Sequence, residues 1–209
     1  MRSILLVGGA PRVPIDAVRH LTVAASGTTA MRLRDLLAAT GRPADLLLSV
    51  DAAPGIDASR YGDRAQLELH LRTWIAAHAS GTVVMSAAVN DYQVAAVEMV
   101  QDGCVTRVAA QDKVSSGADQ VVIRLRPASK VIDQLRSWGL TGPIVGFKYE
   151  DAATVLASAG SLLKRVGAAL VVANSLDGSL QALIDGSGTE RCADREALLQ
   201  RLAVRLAVL

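Results

Sequence analysis

Aromatic residues are scarce in this chain: they make up 3% of 209 residues, with two tryptophans, three tyrosines and a single phenylalanine, Phe147. Recognition of single-stranded nucleic acid by base stacking needs aromatic platforms, so that class is excluded. The core must be built from Ala, Val and Leu, which suits a parallel sheet sandwiched between helices. Cysteine is equally sparse. Cys104 and Cys192 lie 88 positions apart with no C-x-x-C or Cys/His cluster, so neither a disulfide framework nor a zinc site is expected. The three histidines, His20, His70 and His78, show no ligand or triad spacing. No apolar stretch reaches the roughly 18–20 residues that span a bilayer. Residues 1–10 run into Gly8-Gly9 and Pro11 rather than a cleavage site, so no signal peptide and a cytoplasmic location are expected.

Net charge is +2 with no basic run, which argues against nucleic acid as a partner. Hydrophobic residues reach 51% and charged residues 20%, a globular balance. Lysine is rare: Lys113, Lys130, Lys148 and Lys164 stand against 18 arginines (22 − 4), and three of the four fall between positions 113 and 148. In such a background, a retained lysine points to a site that needs a compact ammonium.

The apolar run Ser3–Val7 ends at Gly8-Gly9 and reads as a first buried strand. Residues 10–27 read as a long loop with a helical turn near Ile15–His20. A helix is expected over Thr28–Thr40, stopped by Gly41, then a strand over Ala44–Val50, a loop over Asp51–Asp63 and a helix over Arg64–Ala79. Thr82–Ala88 is a third strand. Val94–Val100 and Val105–Ala109 flank Asp102-Gly103, a tight-hairpin dipeptide, and Gln120–Leu125 is a further strand. Alternation then resumes: a helix over Ser129–Trp138, a strand over Ile144–Phe147, a helix over Ala152–Val166 and a strand over Ala169–Ala173. Leu180–Ile184 pairs with residues near Glu190–Cys192, and a C-terminal helix starts near Arg195. The expected fold is α/β: a Rossmann-like three-layer sandwich with a mostly parallel sheet. A β-rich insertion over about 93–126 serves as a flap or dimer arm, since an exposed hairpin edge is a pairing template.

Several segments offer chemistry, each with a plainer alternative. Gly8-Gly9-Ala10 reads as a ligand loop or as a tight turn; it is not a G-x-G-x-x-G or P-loop. Ser26-Gly27-Thr28-Thr29 reads as an anion site at a helix start or as an N-cap. Asp91 could hold Mg²⁺ or a ribose hydroxyl, or make an Asx turn. Lys113 could neutralise a phosphoryl leaving group, or be a solvated loop lysine. Phe147 could stack on a base or plug the core. Gly9, Asp91, Lys148 and Asn174 all sit at strand exits, with Lys113 on a connected loop. In open α/β sheets ligands bind at that edge, and convergence from independent segments is the signal.

These stretches resemble the phosphopantothenate–cysteine ligase family, also called the DNA/pantothenate-metabolism flavoprotein C-terminal domain, in its short free-standing type. Gly8-Gly9-Ala10 through Pro14-Ile15-Asp16-Ala17-Val18-Arg19 resembles the opening glycine loop and I-D-x-V-R segment, and Ser26-Gly27 the S-S-G or S-T-G turn. Ala87–Tyr92 resembles A-V-x-D-[WY], Lys113–Ser116 resembles K-I-[KS]-[KS], and Ser129–Ile132 falls where the family has P-[DK]-I-[IL]. Val145–Lys148 matches V-G-F-[AK], and Ala173–Ser175 resembles A-N-D. The resemblance covers nearly the whole chain and implies one ligase domain over 1–209. The implied reaction activates the carboxylate of 4′-phosphopantothenate with CTP or ATP, releases pyrophosphate, and joins the acyl-nucleotide to cysteine. By the resemblance the nucleotide lies on Met85, Ser86, Ala87, Asp91, Lys113, Ser129, Lys130, Val131, Ile132 and Phe147, with Lys164 or Arg165 near the triphosphate. Lys113 and Asp91 are the catalytic candidates. Gly8, Gly9, Ala10, Arg19, Ser26, Gly27, Thr28 and Asn174 are the acid-binding candidates. Mg²⁺ rides on the nucleotide phosphates with no protein metal site of its own, and a homodimer is expected.

The chain departs from the family at three places. Val23 stands where the family has an Asn associated with the acyl-nucleotide, Gly9–Pro14 carries one extra residue with Pro11-Arg12, and Ala30 replaces a Gly. Two alternatives therefore stay open: a diverged relative with another acid or amine, and a non-catalytic nucleotide- or FMN-binding module. A nicotinamide-dependent reductase is disfavoured because its glycine fingerprint and ribose-binding acid are missing.

Overall fold

The apolar runs become a stack of parallel strands in the computed structural model, which describes residues 2–209. In chain order the first elements are β1 (Ile4–Gly8), β2 (Val13–Pro14), β3 (His20–Leu21), α1 (Thr28–Ala39), β4 (Asp45–Ser49) and β5 (Ser59–Tyr61). There follow α2 (Arg64–Ala77), β6 (Thr82–Met85), β7 (Tyr92–Gln101), β8 (Cys104–Val108), β9 (Gln120–Pro127) and α3 (Val131–Gln134). The chain closes with β10 (Ile144–Glu150), α4 (Val155–Val166), β11 (Leu170–Ser175), β12 (Gln181–Asp185), β13 (Gly188–Arg191) and α5 (Arg195–Val208). The main sheet has eight strands in the order β13-β12-β11-β10-β6-β1-β4-β5. Its six parallel strands run outward in both directions from β1 and β6, so the strand order reverses between those two. Such a reversal opens a crevice at the carboxyl edge where ligands bind in open α/β sheets.

Side chains alternate across these strands and give each face its own core. Leu5, Val7, Val83 and Val171 pack with Leu67, Leu71, Leu135, Ala159 and Leu162 on one side, beneath α2, α3 and α4. Ile4, Leu6, Val84 and Val172 pack with Leu33, Leu37, Leu198 and Leu202 on the other, beneath α1 and α5. This is the expected Rossmann-like three-layer sandwich. The insertion forms a separate three-stranded sheet, β8-β7-β9. Asp102 and Gly103 turn its hairpin with φ of 49° and 75°, the positive pair that an Asp-Gly turn supplies.

Five local expectations are corrected. The helical turn near Ile15–His20 is instead a β2–β3 pair closed around Asp16, whose Oδ1 accepts from the Val18 and Arg19 amides at 2.9 and 2.7 Å. Such side-chain bonds compete with helix. The loop expected over Asp51–Asp63 contains strand β5, because fully buried Tyr61 anchors it beside β4. The helix expected over Ser129–Trp138 shrinks to α3: the Ser137 hydroxyl donates to the Gln134 carbonyl, and Arg136 donates to the Leu140 and Gly142 carbonyls. The strand expected over Ile144–Phe147 runs on to Glu150, while the one expected over Thr82–Ala88 ends at Met85.

The β1 exit is held by close approach. Gly9 has φ +86°, and a Cβ there would lie 2.2 Å from Ser49 Oγ. A Cβ on Gly8 would meet Ala30 Cβ at 2.8 Å and the Gly27 Cα at 3.3 Å, so the first turn of α1 rests directly on the strand end. Gly9→Ala therefore carries both backbone strain and a clash, and is expected to cost about 3 kcal/mol. Gly103→Ala, with φ +75° but nothing within 4 Å, is expected to cost about 1 kcal/mol. Denaturant titration of the two variants checks the difference.

Candidate active site

A cavity of about 290 Å³ opens at the carboxyl ends of β6 and β10. Met85, Ser86 and Ala87 form its floor where β6 ends, and Val89, Asn90 and Asp91 carry the chain along its rim. Ser129–Ile132 close one side and Phe147–Glu150 the other, with Leu162 and Arg165 of α4 below. The residues assigned to the nucleotide thus all line one cavity, apart from Lys113 and Lys164. Lys164 is exposed on α4.

The floor is fixed by bonds to the neighbouring strand. The Ser86 hydroxyl donates to the Val7 carbonyl at 2.7 Å, and the Ala88 amide donates to the Gly9 carbonyl at 2.9 Å. Asn90 Oδ1 accepts from the Tyr92 amide at 3.0 Å, an Asx turn that directs Asp91 outward before the arm begins. Asp91 then meets Lys130, Oδ2 to Nζ 2.6 Å, with the side chains 55% and 41% exposed. A pair that exposed contributes about 0–1 kcal/mol, so an incoming phosphate displaces it at little cost. Lys148 pairs with Glu150 at 2.9 Å. The Glu150 carboxyl is held below its usual range by the Ser158 hydroxyl first and the Lys148 ammonium second, against the opposing effect of burial. Arg165 pairs with Asp133. Three cations thus line one cavity, each paired with a carboxylate. Among the described residues no group of three or more His, Cys, Asp or Glu side chains comes together.

Phe147 packs against the α1/α5 core and also lines the cavity. Tyr149 and Glu150 were not among the candidates. The strand was expected to stop at Phe147; it runs three residues further, to Glu150, and brings both to the cavity.

The acid-binding candidates lie elsewhere along the same edge. Gly8, Gly9 and Ala10 are buried, and their backbone is engaged: the Gly8 carbonyl accepts from Tyr61 Oη at 2.9 Å and the Ala10 amide donates to Ser49 Oγ at 3.2 Å. That is the tight-turn reading. Gly27, φ +75°, is the N-cap of α1 and offers no side-chain acceptor, so the first amides of that helix keep their donors. The Ser26 and Thr28 hydroxyls bond each other at 3.1 Å beside it. Asn174 is 7% exposed at the end of β11, and its side-chain oxygen has no partner among the described residues. Gln181, its cross-strand neighbour, is in the same condition. Val23 is exposed and does not line this cavity.

Arg19 and Lys113 belong to one clamp. Asp16 Oδ2 accepts from Arg19 Nη1 at 2.5 Å and from the Val114 amide at 3.0 Å, and Arg19 Nη1 also reaches the Val114 carbonyl at 3.2 Å. The Ala17 amide donates to the Asp112 carbonyl at 3.0 Å. The arm loop carrying exposed Lys113 is therefore tied to the segment after β1. Burial pushes the Asp16 carboxyl up, but the amides of Val114, Val18 and Arg19 and the Arg19 guanidinium together hold it well below the carboxylate range.

A model of the DNA/pantothenate metabolism flavoprotein C-terminal domain matches residues 1–193. The chain belongs to that family. It is 26% identical over 180 residues to the coenzyme A biosynthesis bifunctional protein CoaBC of Thermococcus kodakarensis. That match covers 84% of this chain and 41% of the relative, so the chain spans under half of that protein's length. In fold it resembles the DNA/pantothenate metabolism flavoprotein of Streptococcus pneumoniae, with TM-score 0.78, 19% identity and coverage of 100% and 99% of the two chains. A Cab2 variant in complex with phosphopantothenate-cysteine superposes with TM-score 0.77 at 15% identity, covering 99% of this chain and 85% of that one.

The clamp gives a pH prediction. A depressed carboxylate stabilises the fold in its charged form. Its contribution is full above the unfolded value near 3.8 and is lost as pH falls through the folded value. Protection factors over residues 111–116, taken relative to the intrinsic exchange rate, should hold from pH 6 through pH 4 and fall only in stronger acid. Asp16→Asn should lower them already at pH 6; unchanged protection would contradict the clamp.

Proposed function

We infer that the chain is a nucleotide-dependent acid–amine ligase that joins 4′-phosphopantothenate to L-cysteine in coenzyme A biosynthesis. The observation that carries this reading is the convergence of Met85–Ala87, Asp91, Ser129–Ile132, Phe147 and Arg165 on one cavity at the β6 and β10 exits. Family membership supports the same reading, since the two relatives above act in coenzyme A biosynthesis or hold the ligated product.

The chemistry follows from the groups present. A carboxylate oxygen of the acid attacks the α-phosphorus of CTP or ATP; an O–P bond forms, and the bond to pyrophosphate breaks with its electrons on the leaving group. The amine nitrogen then forms a C–N bond, the acyl C–O bond breaks, and the nucleoside monophosphate leaves while a proton passes to solvent. Lys130, Lys148 and Arg165 supply positive charge to the phosphates on exchanging their carboxylate partners. Freed of Lys130, Asp91 can meet the nucleotide's sugar hydroxyls or the Mg²⁺ that enters with the phosphates. Lys113 reaches the α-phosphate from the arm loop. Ser26, Gly27 and Thr28 offer free amides and hydroxyls to the acid's own phosphate. The arm, with Val105 64% exposed and its outer strand edges unpaired among the described residues, supports a homodimer built through β8 or β9.

Val23 favours a second reading: a diverged ligase with a different amine acceptor, because valine cannot hydrogen-bond an acyl-nucleotide oxygen. Pyrophosphate release with phosphopantothenate, Mg²⁺ and CTP or ATP, with and without cysteine, separates the two. The first reading expects phosphopantothenoylcysteine by mass spectrometry. The second expects release that stalls before amine transfer. No release with either nucleotide overturns both. In the same assay Lys113→Gln is expected to lower turnover about 10²-fold, the usual scale for a lost charge-stabilising group, while Tm moves by less than about 2 °C. Full turnover in that variant would remove Lys113 from the chemistry.

A further inference from the structure

Ser129 lines the main cavity from the segment between β9 and α3, and its Oγ receives two N–H donors. Arg64 Nη2 donates to it at 3.1 Å and Gln134 Nε2 at 3.0 Å. A serine hydroxyl has two lone pairs and one hydrogen, so these bonds use all of its acceptor capacity. What is left is the hydrogen, and no acceptor takes it among the described residues. Ser129 is exposed, so that hydrogen is free for whatever enters the cavity.

Both donors are fixed from behind. Arg64 opens α2 and gives its Nε to Glu68 Oε1 at 2.7 Å, in a pair whose side chains are only 23% and 20% exposed. A guanidinium carries five N–H donors and no acceptor, so its bond to Ser129 has one sense. Gln134 ends α3, where its carbonyl accepts from the Ser137 hydroxyl at 2.8 Å and the Trp138 amide at 3.1 Å. The Ala128 amide donates to the Asp91 carbonyl at 2.8 Å and ties the segment carrying Ser129 to the cavity rim. A hydroxyl that accepts from a cation is itself a stronger donor, because hydrogen bonds in a chain polarise one another. With Lys130 next in the chain and Arg64 behind, the local charge favours an anionic acceptor. A proline, which the family motif has at this position, offers no such hydroxyl.

We propose that Ser129 is a phosphate-binding residue through its side chain, and that Arg64 and Gln134 are the positioning residues that fix its hydroxyl as a donor. The proposal rests on the nucleotide reading of the cavity. It gives a part in binding to two residues, Arg64 and Gln134, that do not line the cavity themselves.

The test measures Kd for CTP and ATP with Mg²⁺ by calorimetry on the full chain, and for cytidine and adenosine by saturation-transfer NMR. Ser129→Ala should weaken the bound triphosphate about tenfold, the scale of a hydrogen bond to a charged group, and leave its nucleoside within twofold. Gln134→Glu puts an acceptor where a donor was, so it captures the Ser129 hydrogen. It should weaken the triphosphate about tenfold in the native background and less than threefold in Ser129→Ala. A carboxylate acting by repulsion alone would weaken both backgrounds equally, and that result overturns the positioning role. Unchanged triphosphate affinity in Ser129→Ala, or equal weakening of the nucleoside, overturns the phosphate assignment. A wild type that binds neither triphosphate overturns the nucleotide reading and this proposal with it, whereas binding that ignores Ser129→Ala overturns the proposal alone.

Discussion

The arrangement depends on the parallel register of four adjacent strands. Val7 lies beside Met85, Met85 beside Gly146 and Gly146 beside Val171, so β1 and β6 end at nearly one level while β10 and β11 run past it to Glu150 and Ser175. A parallel ladder fixes which edge every strand exits from, and each exit then delivers a different group: the Gly8–Gly9 turn, the Ser86–Asp91 rim, Lys148 with Glu150, and Asn174. A slip of one residue would send every side chain to the opposite face and exchange the two cores. The site is a by-product of the core in this sense: the alternation that buries Val84, Val145 and Val172 on one face and Val83, Ile144 and Val171 on the other also aims the polar residues that follow.

Two secondary contacts turn that edge into a site. Absence of a side chain at Gly8 and Gly27 lets α1 start against the strand end with its first amides uncovered. Asp16 ties the arm loop that carries Lys113 to the turn after β1, although the arm strands belong to a different sheet. The cations of the main cavity, Lys130, Lys148 and Arg165, each rest on a carboxylate, Asp91, Glu150 and Asp133, and the Lys148–Glu150 pair is the least exposed of the three.

Much of this was legible in the residues. The apolar runs and the Asp102-Gly103 turn predicted the strands and the arm hairpin, and the strand-exit residues predicted the edge at which the main cavity opens. What the sequence hid was set by single side chains acting over distance. Asp16 replaced a helical turn with a β pair by bonding amides two and three residues ahead. Tyr61 made a strand in a stretch rich in Gly, Pro and Asp because its ring fills the core. Arg136 and Ser137 truncated a helix by taking up carbonyls. The motif Gly8-Gly9-Ala10 marked a real constraint, yet its glycines serve close packing, and no local pattern distinguishes that from ligand approach.

The central claim is that the cavity at the β6 and β10 exits holds the nucleotide. Hydrogen exchange measured by mass spectrometry on the full chain, with and without saturating CTP or ATP and Mg²⁺, tests it most directly. The account predicts slowed exchange over residues 85–91, 129–132 and 147–150 with at least one nucleotide. Protection confined to other segments, or none with either nucleotide, would contradict it.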